Sequence, residues 1–232
     1  MVLNENIWPE GLWIRPAAQQ EAPCIVLMHG LGASKEDLAP LADFVDPEKQ
    51  FRWVLPDAPV RPVTLNGGRP MRAWYDIYGL GRDSGEDAAG MEQMATRLAA
   101  LMEHEQQHAG EQPLILGGFS QGGAMALYLA FHHACRATAV LALSAYLPLR
   151  QTLPQAAQVT PIFWGHGRSD PVLPLEYMEI ARDIMESQGY ALSTHIYPMD
   201  HSICAEELVD VRKFLGSMVM QGNLKNHEYP LD

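Results

Sequence analysis

Short, uninterrupted apolar runs alternate along this chain with longer stretches whose apolar residues recur at helical spacing. Cys24 to His29, Phe51 to Leu55, Leu114 to Phe119, Ala137 to Leu143, Pro161 to Trp164 and Ser193 to Tyr197 have the length of strands. Between them Ser34 to Phe44, Glu86 to His108, Ser120 to His132, Pro174 to Ser187 and Ser202 to Met220 read as helices. The longest of these aligns Met91, Met94, Ala95, Leu98, Leu101 and Met102 on one face, and Ser34 followed by Glu36 and Asp37 supplies an N-cap with an acidic first turn. Residues 7 to 16 are expected to add an antiparallel edge. Pro56 to Gly85 shows no sustained period and is dense in proline and glycine, so it is expected to be a long loop, and its aromatic cluster points to a functional one.

Strands that are apolar throughout, each followed by a helix, predict a mostly parallel central sheet covered on both faces, an α/β fold with its site at the carboxyl ends of the strands. A single domain is expected over residues 1 to 221, followed by a polar tail from 222 to 232 that frays.

Composition narrows the function classes. With 47% hydrophobic and 19% charged residues in a 232-residue chain, the sequence is that of a globular protein with one substantial core. A formal net charge of −12 repels polyphosphate backbones and anionic bilayers, so no nucleic-acid partner is expected. No apolar stretch reaches the roughly 20 residues that span a bilayer, and the first Arg or Lys is Arg15, so stable membrane insertion and export are not expected. Cys24, Cys135 and Cys204 are odd in number and lack CxxC spacing, which fits reduced thiols and a cytoplasmic home; Cys204, at an apolar helix start, reads as packing.

Chemistry enters with Gly118-Phe119-Ser120-Gln121-Gly122, a GxSxG pentapeptide between an apolar strand and a helix. In that context it is a nucleophile elbow: glycines on either side let strand and helix approach, and the serine hydroxyl stands clear of the sheet. A serine hydroxyl is a weak nucleophile near neutral pH, so it needs a base in reach and a third group to orient that base. Asp170, in the turn after the strand ending at Trp164, is expected to be the orienting acid. His201, in the strand-to-helix loop Met199-Asp200-His201-Ser202, is expected to be the general base; His195 lies within a strand and His227 in the tail. His29-Gly30-Leu31-Gly32 closes the first apolar strand, and the backbone N–H groups of Leu31 and Gln121 are expected to form an oxyanion hole, with His29 holding the turn. No metal centre is expected: no HExxH or other paired-ligand spacing is read in the chain, and His132 and His133 are adjacent on a helix and cannot turn to one ion together. No Walker loop or GxGxxG follows a strand, so no nucleotide or other cofactor is expected.

Taken together, these residues resemble the α/β-hydrolase superfamily and, more narrowly, its phospholipase/carboxylesterase family, over nearly the whole chain. The resemblance rests on His29 to Gly32, Arg72-Ala73-Trp74-Tyr75-Asp76, Gly118 to Gly123, Ser144 to Pro148, Ser169 to Val172, and His201 to Cys204 with Glu206-Glu207. It implies a compact serine hydrolase without a large lid domain, acting on small-molecule substrates that are short- to medium-chain acyl esters, thioesters or lysophospholipids, and often a homodimer. It further implies that Met71, Trp74 and Leu173 line the substrate pocket. A peptidase on the same fold and a catalytically inactive ligand receptor remain the rival readings. Two departures from the family pattern stand out: Ala145 replaces a usual glycine, and Asp200 stands where relatives commonly carry glycine. An extra carboxylate beside the base is expected to favour the imidazolium and raise the working pH.

Overall fold

A computed structural model describes residues 7–225 except 82, 83, 134, 136 and 158, with side chains described to Met220. Among the described residues nine strands form: β1 Leu12–Arg15, β2 Cys24–Met28, β3 Arg52–Pro56, β4 Val60–Val63, β5 Arg69–Arg72, β6 Leu114–Phe119, β7 Ala139–Leu143, β8 Ile162–Gly167 and β9 Leu192–Tyr197. The helices are α1 Lys35–Val45, α2 Ala88–Ala109, α3 Gln121–His132, α4 Leu175–Ser187 and α5 Ala205–Lys225. Seven strands make one sheet in the order β1-β3-β2-β6-β7-β8-β9. All neighbours run parallel except β1, which closes the edge antiparallel to β3 with Leu12 opposite Pro56 and Arg15 opposite Trp53.

The unbroken apolar character of the strands follows from cover on both faces. Along β2, Cys24, Val26 and Met28 join the cluster under α2, α3 and α4, whereas Ile25 and Leu27 join the one under α1 and α5. β7 divides the same way, with Val140 and Ala142 on one side and Ala139, Leu141 and Leu143 on the other. Both inward directions are therefore dry, and period-two alternation of polarity disappears. Helix α2 buries Met91, Met94, Ala95, Leu98, Leu101 and Met102. At roughly 1.5–3 kcal/mol for each large side chain buried, packing outweighs the ~1 kcal/mol helix penalty of Gly90.

Two expectations are corrected. Residues 56 to 85 are not wholly loop: β4 and β5 pair as a hairpin apart from the main sheet, closed through Gly67 and Gly68 at φ 63° and 75°. Its strands are four residues long and set Pro62 opposite Pro70, and proline within a run is a signal against a strand. The expected boundary at residue 221 falls inside α5, which continues to Lys225 because an interior glycine weakens a helix without stopping it. The remainder of the expected tail, 226–232, lies outside the described residues.

The chain crosses from β2 through α1 to β3 on one side, then through α2 to β6 on the other side of β2. The winding thus reverses between β2 and β6, and a crevice opens at their carboxyl ends, where doubly wound sheets place their ligands.

Candidate active site

Ser120 sits at that crevice, between the end of β6 and the first residue of α3, with φ 54° and ψ −118°. A non-glycine residue there costs about 1–3 kcal/mol, so its surroundings must impose the conformation. They do so from both sides. The Ser120 N–H donates to the carbonyl of Leu143 at 2.8 Å, and its own carbonyl accepts from the Ala124 N–H at 3.0 Å. Close packing makes the flanking glycines obligatory: a Cβ on Gly122 would lie 2.2 Å from the Met28 carbonyl oxygen, and one on Gly118 would lie 2.3 Å from Gly122 itself.

The structure brings together the three side chains selected from the sequence. His201 Nε2 lies 2.9 Å from Ser120 Oγ, and His201 Nδ1 lies 2.7 Å from Asp170 Oδ2. A carboxylate can only accept there, so Nδ1 carries the proton and Nε2 offers its lone pair to the serine hydroxyl. The other oxygen of Asp170 accepts from the backbone N–H groups of Val172 and Leu173, both at 2.8 Å. Asp170 enters from the turn after β8 and His201 from the loop after β9, while the Phe119 ring packs against the imidazole with centroids 5.0 Å apart.

The turn after β2 reaches the same point. A Cβ on Gly30 would lie 3.5 Å from Ser120 Cβ, so the backbone leading into Leu31 runs alongside the serine. His29 fixes this turn: its Nδ1–H donates to the Gly30 carbonyl at 2.7 Å, and its Nε2 accepts from the Ala58 N–H at 3.0 Å. Burial lowers its pKa, which keeps the ring neutral and suits one donor and one acceptor. Gly32 donates to the Arg72 carbonyl at 2.8 Å, and a Cβ there would meet Met71 Sδ at 3.7 Å, so Met71 stands against this turn.

Trp74 is wholly buried, its indole N–H donating to the His29 carbonyl at 2.8 Å and its ring packing against His29 and Trp8. It ties the hairpin segment to the β2 turn. Leu173, by contrast, lines a cavity of about 440 Å³ together with Tyr75, Leu80, Tyr146, Leu147 and Ile180. Trp74 and Met71 are not part of that lining. The cavity adjoins the site, because Leu173 donates to Asp170 and the Tyr75 carbonyl accepts from Gln121. One wall carries the Tyr75 and Tyr146 hydroxyls, 2.6 Å apart, with both phenols held neutral by burial.

Three side chains to which the sequence assigns no role, those of Gln121, His166 and Glu207, also pack around the site. The Gln121 side chain is buried; its Oε1 accepts from the Trp74 N–H at 3.1 Å and its Nε2 donates to the Tyr75 carbonyl at 2.8 Å, pinning the 56–85 segment to α3. His166 lies beneath Asp170, with Nε2 2.8 Å from the Leu173 carbonyl and 3.6 Å from Asp170 Oδ2. Burial lowers the His166 pKa, so the neutral ring donates to Leu173 and clamps the loop that presents Asp170. Its position within the Gly165-to-Asp170 segment was the available signal. Glu207 is fully buried against Gly165, where a Cβ would lie within 2.8 Å of its carboxyl carbon. Neither of its oxygens meets a hydrogen-bond partner, and burial pushes the carboxyl up to about 8, opposed by the nearby Cys204 backbone.

The expected absence of paired metal-ligand spacing requires a correction. His104-Glu105-Gln106-Gln107-His108 has two histidines one helical turn apart on α2 with a glutamate after the first, and the structure groups all three. This cluster is remote from Ser120 and takes no part in the site. Among the described residues no helix is long and apolar enough to cross a membrane.

Residues 10–219 match the family described as Phospholipase/Carboxylesterase. Acyl-protein thioesterase 1 of Mycosarcoma maydis is 33% identical over 217 residues, covering 84% of this chain and 90% of that protein. Acyl-protein thioesterase 1 of Neurospora crassa is 32% identical over 216 residues, covering 86% of this chain and 88% of that protein. Among solved structures, acyl-protein thioesterase 2 of Zea mays superposes with a TM-score of 0.81 at 27% identity, covering 90% of this chain and 99% of that one. The esterase PE8 gives 0.74 at 28% identity, covering 89% and 97%.

Proposed function

Because the chain belongs to the phospholipase/carboxylesterase family, we propose that it is a serine carboxylesterase that cleaves short- to medium-chain acyl esters through an acyl-enzyme. The observation that carries this reading is the unbroken chain of contacts from Ser120 Oγ through both nitrogens of His201 to Asp170, 2.9 and 2.7 Å long. Ser120 Oγ attacks the acyl carbonyl as its proton passes to His201 Nε2. Asp170 holds the tautomer and stabilises the imidazolium. The resulting tetrahedral oxyanion is received by the Leu31 and Gln121 N–H groups; Gln121 begins α3, where an N–H has no acceptor within the helix. The imidazolium then protonates the departing alcohol. Water, deprotonated by the same imidazole, attacks the acyl carbonyl and frees Ser120 and the carboxylic acid.

The cavity beside Leu173 supplies the acyl site. Its size falls within the usual range for small-molecule pockets, and its apolar wall suits an alkyl chain of modest length. Thioester cleavage is the second reading, supported by the acyl-protein thioesterases among the relatives; the attack is the same, with a thiol as leaving group. The three cysteines are unpaired, in keeping with a cytoplasmic location.

The test is a fluorophosphonate label followed by p-nitrophenyl esters of increasing length, each matched with its thioester. Labelling at Ser120 and hydrolysis reduced about 10⁴- to 10⁶-fold in Ser120→Ala, with an unchanged melting temperature, are the expected results. An unlabelled, inert wild type would turn the reading to a ligand receptor, and comparable cleavage of matched anilides would turn it to an amidase.

A further inference from the structure

We propose that His104 and His108 form a binding site for a divalent ion of the zinc class on α2, at the opposite end of the sheet from Ser120, with Glu105 orienting the first ligand. One ring nitrogen from each histidine and one Glu105 carboxylate oxygen lie within 4.8 Å of one another. The two rings lie one helical turn apart with centroids 4.5 Å from each other and planes tilted by 51°, at the i, i+4 spacing that lets two side chains share a ligand.

The hydrogen bonds around the pair fix both tautomers in the form a metal requires. His108 Nδ1 lies 3.0 Å from the His104 carbonyl oxygen, and His104 Nδ1 lies 3.2 Å from Glu105 Oε1. Carbonyl and carboxylate oxygens only accept, so both Nδ1 atoms are protonated and both Nε2 atoms keep a free lone pair. A ligating histidine whose other nitrogen is bound to a carboxylate or carbonyl is the usual outer arrangement of a metal centre.

Glu105 is well suited to orient and poorly suited to migrate. Its side chain is 1% exposed, and its Oε2 is paired with Arg52 Nε at 2.6 Å. The Arg52 charge offsets the carboxylate, so the histidines rather than an acidic group define the ion's chemistry. Two imidazoles select zinc, nickel or copper over calcium and magnesium, which prefer all-oxygen shells. His104 is half-buried and His108 exposed, so an ion can enter from solvent and complete its shell with water. The elements it would join, α2 with the starts of β2 and β3 through Glu105, Cys24 and Arg52, are part of the scaffold. Binding is therefore expected to raise thermal stability and leave hydrolysis unaltered.

Isothermal titration of the purified full chain with zinc chloride in chelator-free buffer tests the proposal. Wild type is expected to take up one equivalent and to melt at a higher temperature with zinc than without. His108→Ala should remove both effects at unchanged esterase activity, and Glu105→Gln should weaken binding about 10- to 100-fold. His133→Ala should leave binding unaltered. His108 is exposed, so its variant reports on the site even where a change at buried Glu105 harms folding. Undiminished zinc uptake by His108→Ala, or the absence of a stoichiometric equivalent in wild type, would overturn the assignment.

Discussion

Buried carboxylates at the two ends of the sheet are handled in opposite ways. At the amino end, Glu105 is paired with Arg52 at 2.6 Å, and Asp46 is paired with Arg15 and accepts from the Gln50 and Phe51 N–H groups. At the carboxyl end, beside Ser120, Asp170 receives two backbone N–H groups and an imidazole, while Glu207 meets no hydrogen-bond partner. A guanidinium would have absorbed the charge of Asp170, whereas dipoles hold the carboxylate in place and leave its field directed at His201. Asp57 shows that role rather than location decides: it lies at the carboxyl end too, but it anchors α1 and β5 through Lys35 at 2.6 Å and Arg72 at 3.4 Å. Glu105, Asp46 and Asp57 are matched with cations; Asp170, which meets His201, is not.

That contrast predicts a clean separation of effects. Asp170→Asn should lower kcat by about 10⁴-fold, because an amide permits the wrong imidazole tautomer, and should alter the melting temperature little. A comparable loss of stability would erase the distinction. Arg52→Ala should do the reverse: it leaves a charge uncompensated inside the protein and should cost about 3 kcal/mol in denaturant unfolding, with kcat unchanged.

Glu207 sharpens the comparison through pH. Its carboxyl is raised from 4.5 to about 8 in the folded protein. Between those values the folded chain keeps a proton that the unfolded chain has released, so stability is greatest below the lower value and falls as pH rises through the upper one. Glu207→Gln should flatten the decline of melting temperature between pH 5 and 9; an identical decline in the variant would assign it to other groups. The smallest expected effect is that of Asp200. It is exposed, so water screens its influence on His201. Asp200→Gly should move the acidic limb of the kcat/KM profile slightly to lower pH, and an unaltered profile would remove the residue from the account.

The sequence by itself determined the alternation of buried strands and helices, because burial on both faces forces continuous apolar runs and one-sided helices. It also singled out Ser120, Asp170 and His201 as candidates, because an elbow needs glycines at fixed spacing and each partner must follow a strand, and the fold brings these three side chains together. Residue order is enough for both. What only the tertiary structure decided are contacts between segments whose local signals are silent. Nothing local in Gln121 announces that its amide will lock Trp74 and Tyr75 onto α3. His166 reads as one histidine among nine until β8 sets it under Asp170. Trp74 belongs to an irregular segment, yet the structure places it in the core, and the four-residue, proline-bearing strands β4 and β5 gain their pairing only when the chain closes around Gly67 and Gly68. Periodicity records which way a side chain faces, whereas what it meets there depends on residues dozens of positions away, brought near only by the closing of the sheet.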